Sequence, residues 1–172
     1  MKKDEHQIAY EQAIQLKIYE GNLVWSRSQT MLVANTILLA AIGIFLGSDR
    51  PNVYVLIPLS VIGFLLSIIW METTIRGFAF NKFWSLSARN QEEKMSGVKV
   101  LTQGANFRNN KEVEFDFRDE NNLLKRYKRP VWGRLFATEP GLYLLIFLFT
   151  AVYVVLFILS WTGNISVLRV GV

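Results

Sequence analysis

Cysteine is missing from this chain, and histidine occurs once, at His6. Without thiols there are no disulfides, thiolate metal sites or cysteine nucleophiles, and one histidine does not make a histidine-based metal centre. Catalytic signatures are missing as well: the chain contains no Walker loop, no GxSxG and no HExxH. It reads as non-enzymatic, with no cofactor and no metal expected. The absence that sets the class is local. Three long apolar runs, Met31–Gly47, Val53–Trp70 and Leu142–Trp161, contain no Asp, Glu, Lys, Arg or His.

At about 1.5 Å per residue, helices of 17 and 18 residues reach roughly 25–27 Å, close to the hydrocarbon thickness of a bilayer. The third run, 20 residues long, crosses with modest tilt. The turn SDRPN joins the first two runs and makes them antiparallel neighbours. The bare spans also argue against ion-coupled transport, which generally uses intramembrane ionisable groups. The N-terminus lacks the short apolar core and small-residue cleavage site of a secretory signal, so the first span is expected to stay in the mature protein.

Lysine and arginine number 4 before the first span, 1 in the first turn, 13 between Thr73 and Gly141, and 1 in the tail. The positive-inside rule places the N-terminus and the 73–141 segment in the cytoplasm and the tail outside, in a bacterial inner (plasma) membrane. The expected fold is an all-α membrane protein with three transmembrane helices, cytoplasmic helical extensions and a small cytoplasmic β-hairpin insertion. Its segments are a cytoplasmic amphipathic helix over 3–28, a transmembrane hairpin over 29–72, and a cytoplasmic helix extension, hairpin and basic juxtamembrane segment over 73–141. A third span over 142–162 and an external tail over 163–172 complete it.

Within the first segment Tyr10, Ile14, Ile18, Gly21 and Trp25 recur at helical spacing, and Gly21-Asn22 predicts a break or bend before the span. Met71, Ile75, Phe78, Phe83 and Leu86 carry the helical period of the second span on to about Lys94, giving an aromatic face for the N-terminal helix to cover. Trp25, Trp70, Trp132 and Trp161 fall where an interfacial aromatic belt belongs. The order of an amphipathic helix, Trp25-Ser26-Arg27, a span containing Ala34-Asn35 and Leu38-Leu39-Ala40, a tight turn, then IRGFAFNKFW and NQEEK resembles small helical-hairpin membrane proteins associated with bacterial antiviral defence. The resemblance covers about residues 8–95. It implies a membrane-perturbing effector or a partner subunit.

Thr36, Ala40, Gly43 and Gly47 form a small-residue stripe on the first span, answered by Ser60, Gly63 and Ser67 on the second. Small side chains let helix backbones approach closely, so these two faces are expected to meet inside the hairpin; the alternative is an oligomer contact or pore lining. Asn35, the most polar side chain in any span, needs a partner on a neighbouring helix. Val98–Thr102 and Val113–Phe117 read as two strands joined by a glycine- and asparagine-rich loop. The acids Glu112, Glu114, Asp116, Asp119 and Glu120 read as a solvated strand face rather than a cation site.

Lys125, Arg126, Lys128, Arg129, Trp132 and Arg134 suit anionic headgroups, each basic group gaining on the order of 1 kcal/mol near the surface. With Arg108, Asn109 and Asn110 they would also suit a nucleic acid or nucleotide, although no binding signature accompanies them. The functional expectation is a homo-oligomeric effector or pore-forming subunit whose cytoplasmic module senses a protein partner or ligand. The alternative is a membrane anchor or assembly subunit that recruits a soluble partner.

Overall fold

The computed structural model describes residues 5–48, 52–95, 99–108, 113–118, 124–127 and 138–163. Four helices occur among them: α1 (Glu5–Leu46), α2 (Val53–Lys94), α3 (Val100–Arg108) and α4 (Thr138–Trp161). Of these, α1, α2 and α4 are long and apolar enough to cross a membrane. Two short strands, β1 (Val113–Arg118) and β2 (Leu124–Tyr127), pair antiparallel. The chain divides into two compact units. A membrane unit comprises Asn22–Gly77 and Glu139–Val172, and a head unit comprises Met1–Gly21 and Phe78–Thr138.

At 42 residues each, α1 and α2 are about 63 Å long, twice the hydrocarbon thickness. The expected break at Gly21-Asn22 does not occur, because a single glycine costs a helix only about 1 kcal/mol. α2 reaches Lys94, where the sequence period ends. It starts at an Asn52 cap: the Asn52 side-chain oxygen accepts from Tyr54 N (3.0 Å), and its carbonyl accepts from Val55 N (3.0 Å) and Leu56 N (3.1 Å). Pro58 lies in the second turn of α2, and the helix runs through it.

The core of the membrane unit is formed by Ile42, Leu56, Tyr153 and Leu156, with Leu38, Leu39, Val53, Phe64 and Phe149 packed around them. The buried line of α2 in this unit is Ser60, Gly63, Ser67, Trp70, Thr74 and Gly77, at alternating steps of three and four. That 3.5-residue period is the seam of left-handed helix packing. Most of its members are small, which brings the neighbouring backbones close. Trp70, expected at a lipid-facing belt, is instead fully buried, its ring 5.9 Å from that of Phe149 and its indole N–H 3.5 Å from Ser28 Oγ.

In the head unit the face of α2 that turns inward carries Asn81, Ala88 and Glu92, while Phe83 and Leu86 of the expected aromatic seam are exposed. The buried positions of α1 are likewise Ala13 in the head unit and Val24, Ser28, Asn35 and Ile42 in the membrane unit, not the Tyr10–Trp25 stripe, from which Ile18 and Trp25 point outward. Helix contacts here select small side chains, and counting large apolar residues misses that.

The expected hairpin between Val98–Thr102 and Val113–Phe117 is not the one that forms. Residues 100–102 open α3, stabilised by a cap from α2, and β1 pairs with β2 instead. The register sets Val113 opposite Tyr127 and Glu114 opposite Arg126, then shifts through a bulge to set Arg118 opposite Leu124.

Candidate functional site: buried polar contacts and open faces of the membrane helices

Asn35 and Tyr153 meet at the centre of the membrane unit, and both are fully buried. The Tyr153 hydroxyl lies 3.0 Å from Asn35 Oδ1 and 3.3 Å from the Asn35 carbonyl, while Asn35 Nδ2 donates to Met31 O at 2.8 Å. The amide of Asn35 thus has partners for both its donor and its acceptor side, which the hydrocarbon interior demands. Gly63 makes room for the pair: a Cβ built there would clash with the Tyr153 ring. Gly77 does the same for Val24 in the α1–α2 seam. Asn35 pointed to a cross-helix bond in the sequence. Tyr153 did not, since it looks like one more aromatic of an apolar run.

The two small-residue stripes have different fates. Ser60, Gly63 and Ser67 are buried, whereas Thr36, Ala40, Gly43 and Gly47 are all exposed. Nothing lies within 4 Å of a Cβ built on Gly43, and one on Gly47 meets only the backbone of its own helix. The stripes therefore do not face each other inside the hairpin. At 100° per residue the α1 stripe lies roughly 120° around the helix from the Asn35–Ile42 line, which is occupied by α2 and α4. Its one hydroxyl, on Thr36, donates to Leu32 O at 2.8 Å, so the face carries no unmet hydrogen bond.

A second open feature of the membrane unit is an apolar groove of about 270 Å³ between α2 and α4. It is lined by Ser60, Val61, Phe64, Tyr153, Val154 and Phe157. Its polar groups are already engaged, Ser60 Oγ with Leu56 O (2.8 Å) and Tyr153 with Asn35. Both hydroxyls on the groove wall thus donate their protons within the protomer.

Side chains tie the head unit together. The Glu92 carboxylate, buried, accepts from Leu101 N (2.7 Å), Thr102 N (2.9 Å) and Thr102 Oγ1 (2.9 Å), and so caps α3 from a different helix. Asn81 donates to Lys17 O at 2.9 Å, with Gly21 of α1 packed against the same amide, and His6 Nδ1 lies 3.0 Å from Gln91 Oε1. Burial first, then the Glu92 charge, raises the Tyr10 phenol above its ordinary value of 10.0. A small cleft of about 170 Å³ lies among Lys17, Ser85, Leu101, Gly104 and Ala105.

Three of the phosphate-binding candidates fall within the described residues. Arg108 ends α3 and Lys125 and Arg126 lie on β2, whereas Asn109, Asn110, Lys128, Arg129, Trp132 and Arg134 lie outside the described residues. Of the acids, Glu114 and Asp116 are on β1, and Glu112, Asp119 and Glu120 are outside the described residues. Among the described residues no group of three His, Asp or Glu could hold a metal ion.

Residues 7–162 match the model of the octameric membrane protein family. No curated protein matches the chain. No solved structure matches it either.

Proposed function

The chain belongs to the octameric membrane protein family, and from that premise we propose that eight copies assemble in one bilayer into a non-enzymatic pore-forming or effector complex. The observation that carries the reading is the exposed stripe Thr36, Ala40, Gly43 and Gly47, a flat helix face with no partner among the described residues. In lipid, small residues gather where helices touch, since close packing replaces the missing hydrophobic drive. Three spans are too few to enclose an aqueous path, and a ring of eight protomers removes that limit. The positive-inside charge balance supports a cytoplasmic head that senses a ligand or partner in a bacterial plasma membrane. The resemblance over residues 8–95 makes antiviral defence the setting to test.

Native mass spectrometry of the protein extracted in nanodiscs is expected to give a species near 158 kDa, eight chains of 19.8 kDa. Expression is expected to permeabilise membranes to a small dye, with Gly43→Leu and Gly47→Leu abolishing this at unchanged protein level. A monomer, or an octamer without any effect on membrane integrity, contradicts the oligomeric and the pore-forming parts respectively. The anchor reading draws support from Tyr19, Phe83, Leu86 and Val100, apolar side chains exposed on the head unit. Retention of a stoichiometric soluble protein by the octamer would favour it.

A further inference from the structure

An octamer in a membrane has restricted symmetry. All copies insert with one orientation, because each carries the same asymmetry of basic residues. Only rotation about an axis along the membrane normal relates them. An eight-fold rotation of this kind is heterologous: each protomer meets its neighbours through two different faces, one donating and one receiving. The membrane unit has one candidate for each role. The slim small-residue face Thr36, Ala40, Gly43, Gly47 of α1 lies open, and the apolar groove opens between α2 and α4. No α1 residue lines the groove, and the α1 face lies roughly 120° around its helix from the side that α2 and α4 occupy.

Resting on the octameric reading, we infer that α1 of one protomer lays this small-residue face into the α2–α4 groove of the next, repeating around the ring. Depth agrees. Rotation about the membrane normal preserves depth, and the hydrogen bond of Tyr153 to Asn35 together with the shared core of Ile42, Leu56 and Leu156 sets the groove level with the middle of the α1 span. The Thr36–Gly43 part of the stripe therefore lies at about the depth of Val154 and Phe157. Chemistry agrees as well. The hydroxyls of Thr36, Ser60 and Tyr153 are satisfied within their own protomer, so neither face needs a polar partner and contact rests on dispersion between close surfaces. A face without side chains beyond a methyl or hydroxyl group lets the α1 backbone come close to the groove walls, where dispersion is strongest. The competing occupant is a lipid acyl chain.

The cysteine-free chain allows a direct test. Ala40→Cys and Val154→Cys are made singly and together, and oxidised with copper phenanthroline in intact membranes. The double variant is expected to give a ladder of covalent species up to eight. Either single variant alone should stay monomeric on denaturing gels, and the two singles co-expressed should stop at dimers. Gly43→Leu in the double variant should remove the ladder. Self-cross-linking of Ala40→Cys would show like faces meeting and overturn the inference. So would an octamer by native mass spectrometry whose double variant never cross-links, the outcome expected if lipid fills the groove. A monomer by native mass spectrometry would overturn the octameric reading and this interface with it.

Discussion

Gly63→Ala tests the centre of the membrane unit most sharply, because one methyl group has opposite effects in two backgrounds. In a helix interior, alanine in place of glycine gains about 1 kcal/mol. Here the new Cβ clashes with the Tyr153 ring, which is fully buried and held by Asn35, so it cannot swing aside without giving up that hydrogen bond. Overpacking of this kind costs about 1–3 kcal/mol, and loss of the cross-helix bond adds about 0.6 kcal/mol. Net destabilisation of about 1–2 kcal/mol is expected. With Tyr153→Ala the ring is gone, and the same substitution should stabilise by about 1 kcal/mol through propensity alone. The coupling between the two sites is then about 2–3 kcal/mol, well above what distant sites show. Equilibrium unfolding in mixed micelles, followed by far-ultraviolet circular dichroism, reads all four members of the cycle. Equal effects of Gly63→Ala in both backgrounds would refute the close approach of α2 and α4.

Asn35→Leu removes the nearer acceptor of the Tyr153 hydroxyl and leaves it only the residue-35 carbonyl at 3.3 Å, and should destabilise by about 1 kcal/mol, with Tyr153→Phe milder at about 0.6 kcal/mol, in the same unfolding assay. Glu92→Ala removes the cap of α3 and should cost about 1–2 kcal/mol, read as faster amide exchange at Leu101 and Thr102 while the amides in the middle of α4 keep their rates. The raised Tyr10 phenol predicts a pH effect of definite sign. The folded protein holds that proton more tightly than the unfolded chain, so its contribution to stability is fully present below about pH 10 and fades as pH rises through the folded value. Ultraviolet titration should show Tyr10 ionising late, and less late in Glu92→Gln.

Much of this architecture was legible in the chain. Three uncharged runs of 17 to 20 residues admit no soluble structure, since their burial elsewhere would need a core this chain cannot build. The helical period of Met71–Leu86 carries α2 to Lys94, and Asn35 announces its need for a polar partner. What misled was size. Tyr10, Ile18, Trp25, Phe83 and Leu86 have the spacing of a buried face, yet α1 and α2 bury Ala13, Ser28, Ser67, Thr74, Gly77 and Ala88, because close-packed long helices put their small residues inward.

Tertiary structure alone decided the rest. α3 forms where strand formers stand, because Glu92, eight or more residues upstream, satisfies two of the amides that open the helix; local propensity has no access to that carboxylate. Two small-residue stripes on neighbouring spans look alike as sequence. Only the placement of α4, whose Tyr153 fits over Gly63 and reaches Asn35, makes the α2 stripe part of the core and leaves the α1 stripe open. The sequence by itself determined that this chain lives in a bilayer with long helices; which face of each helix is interior depended on a third helix some hundred residues away in the chain, and packing of that kind leaves no local signal to read.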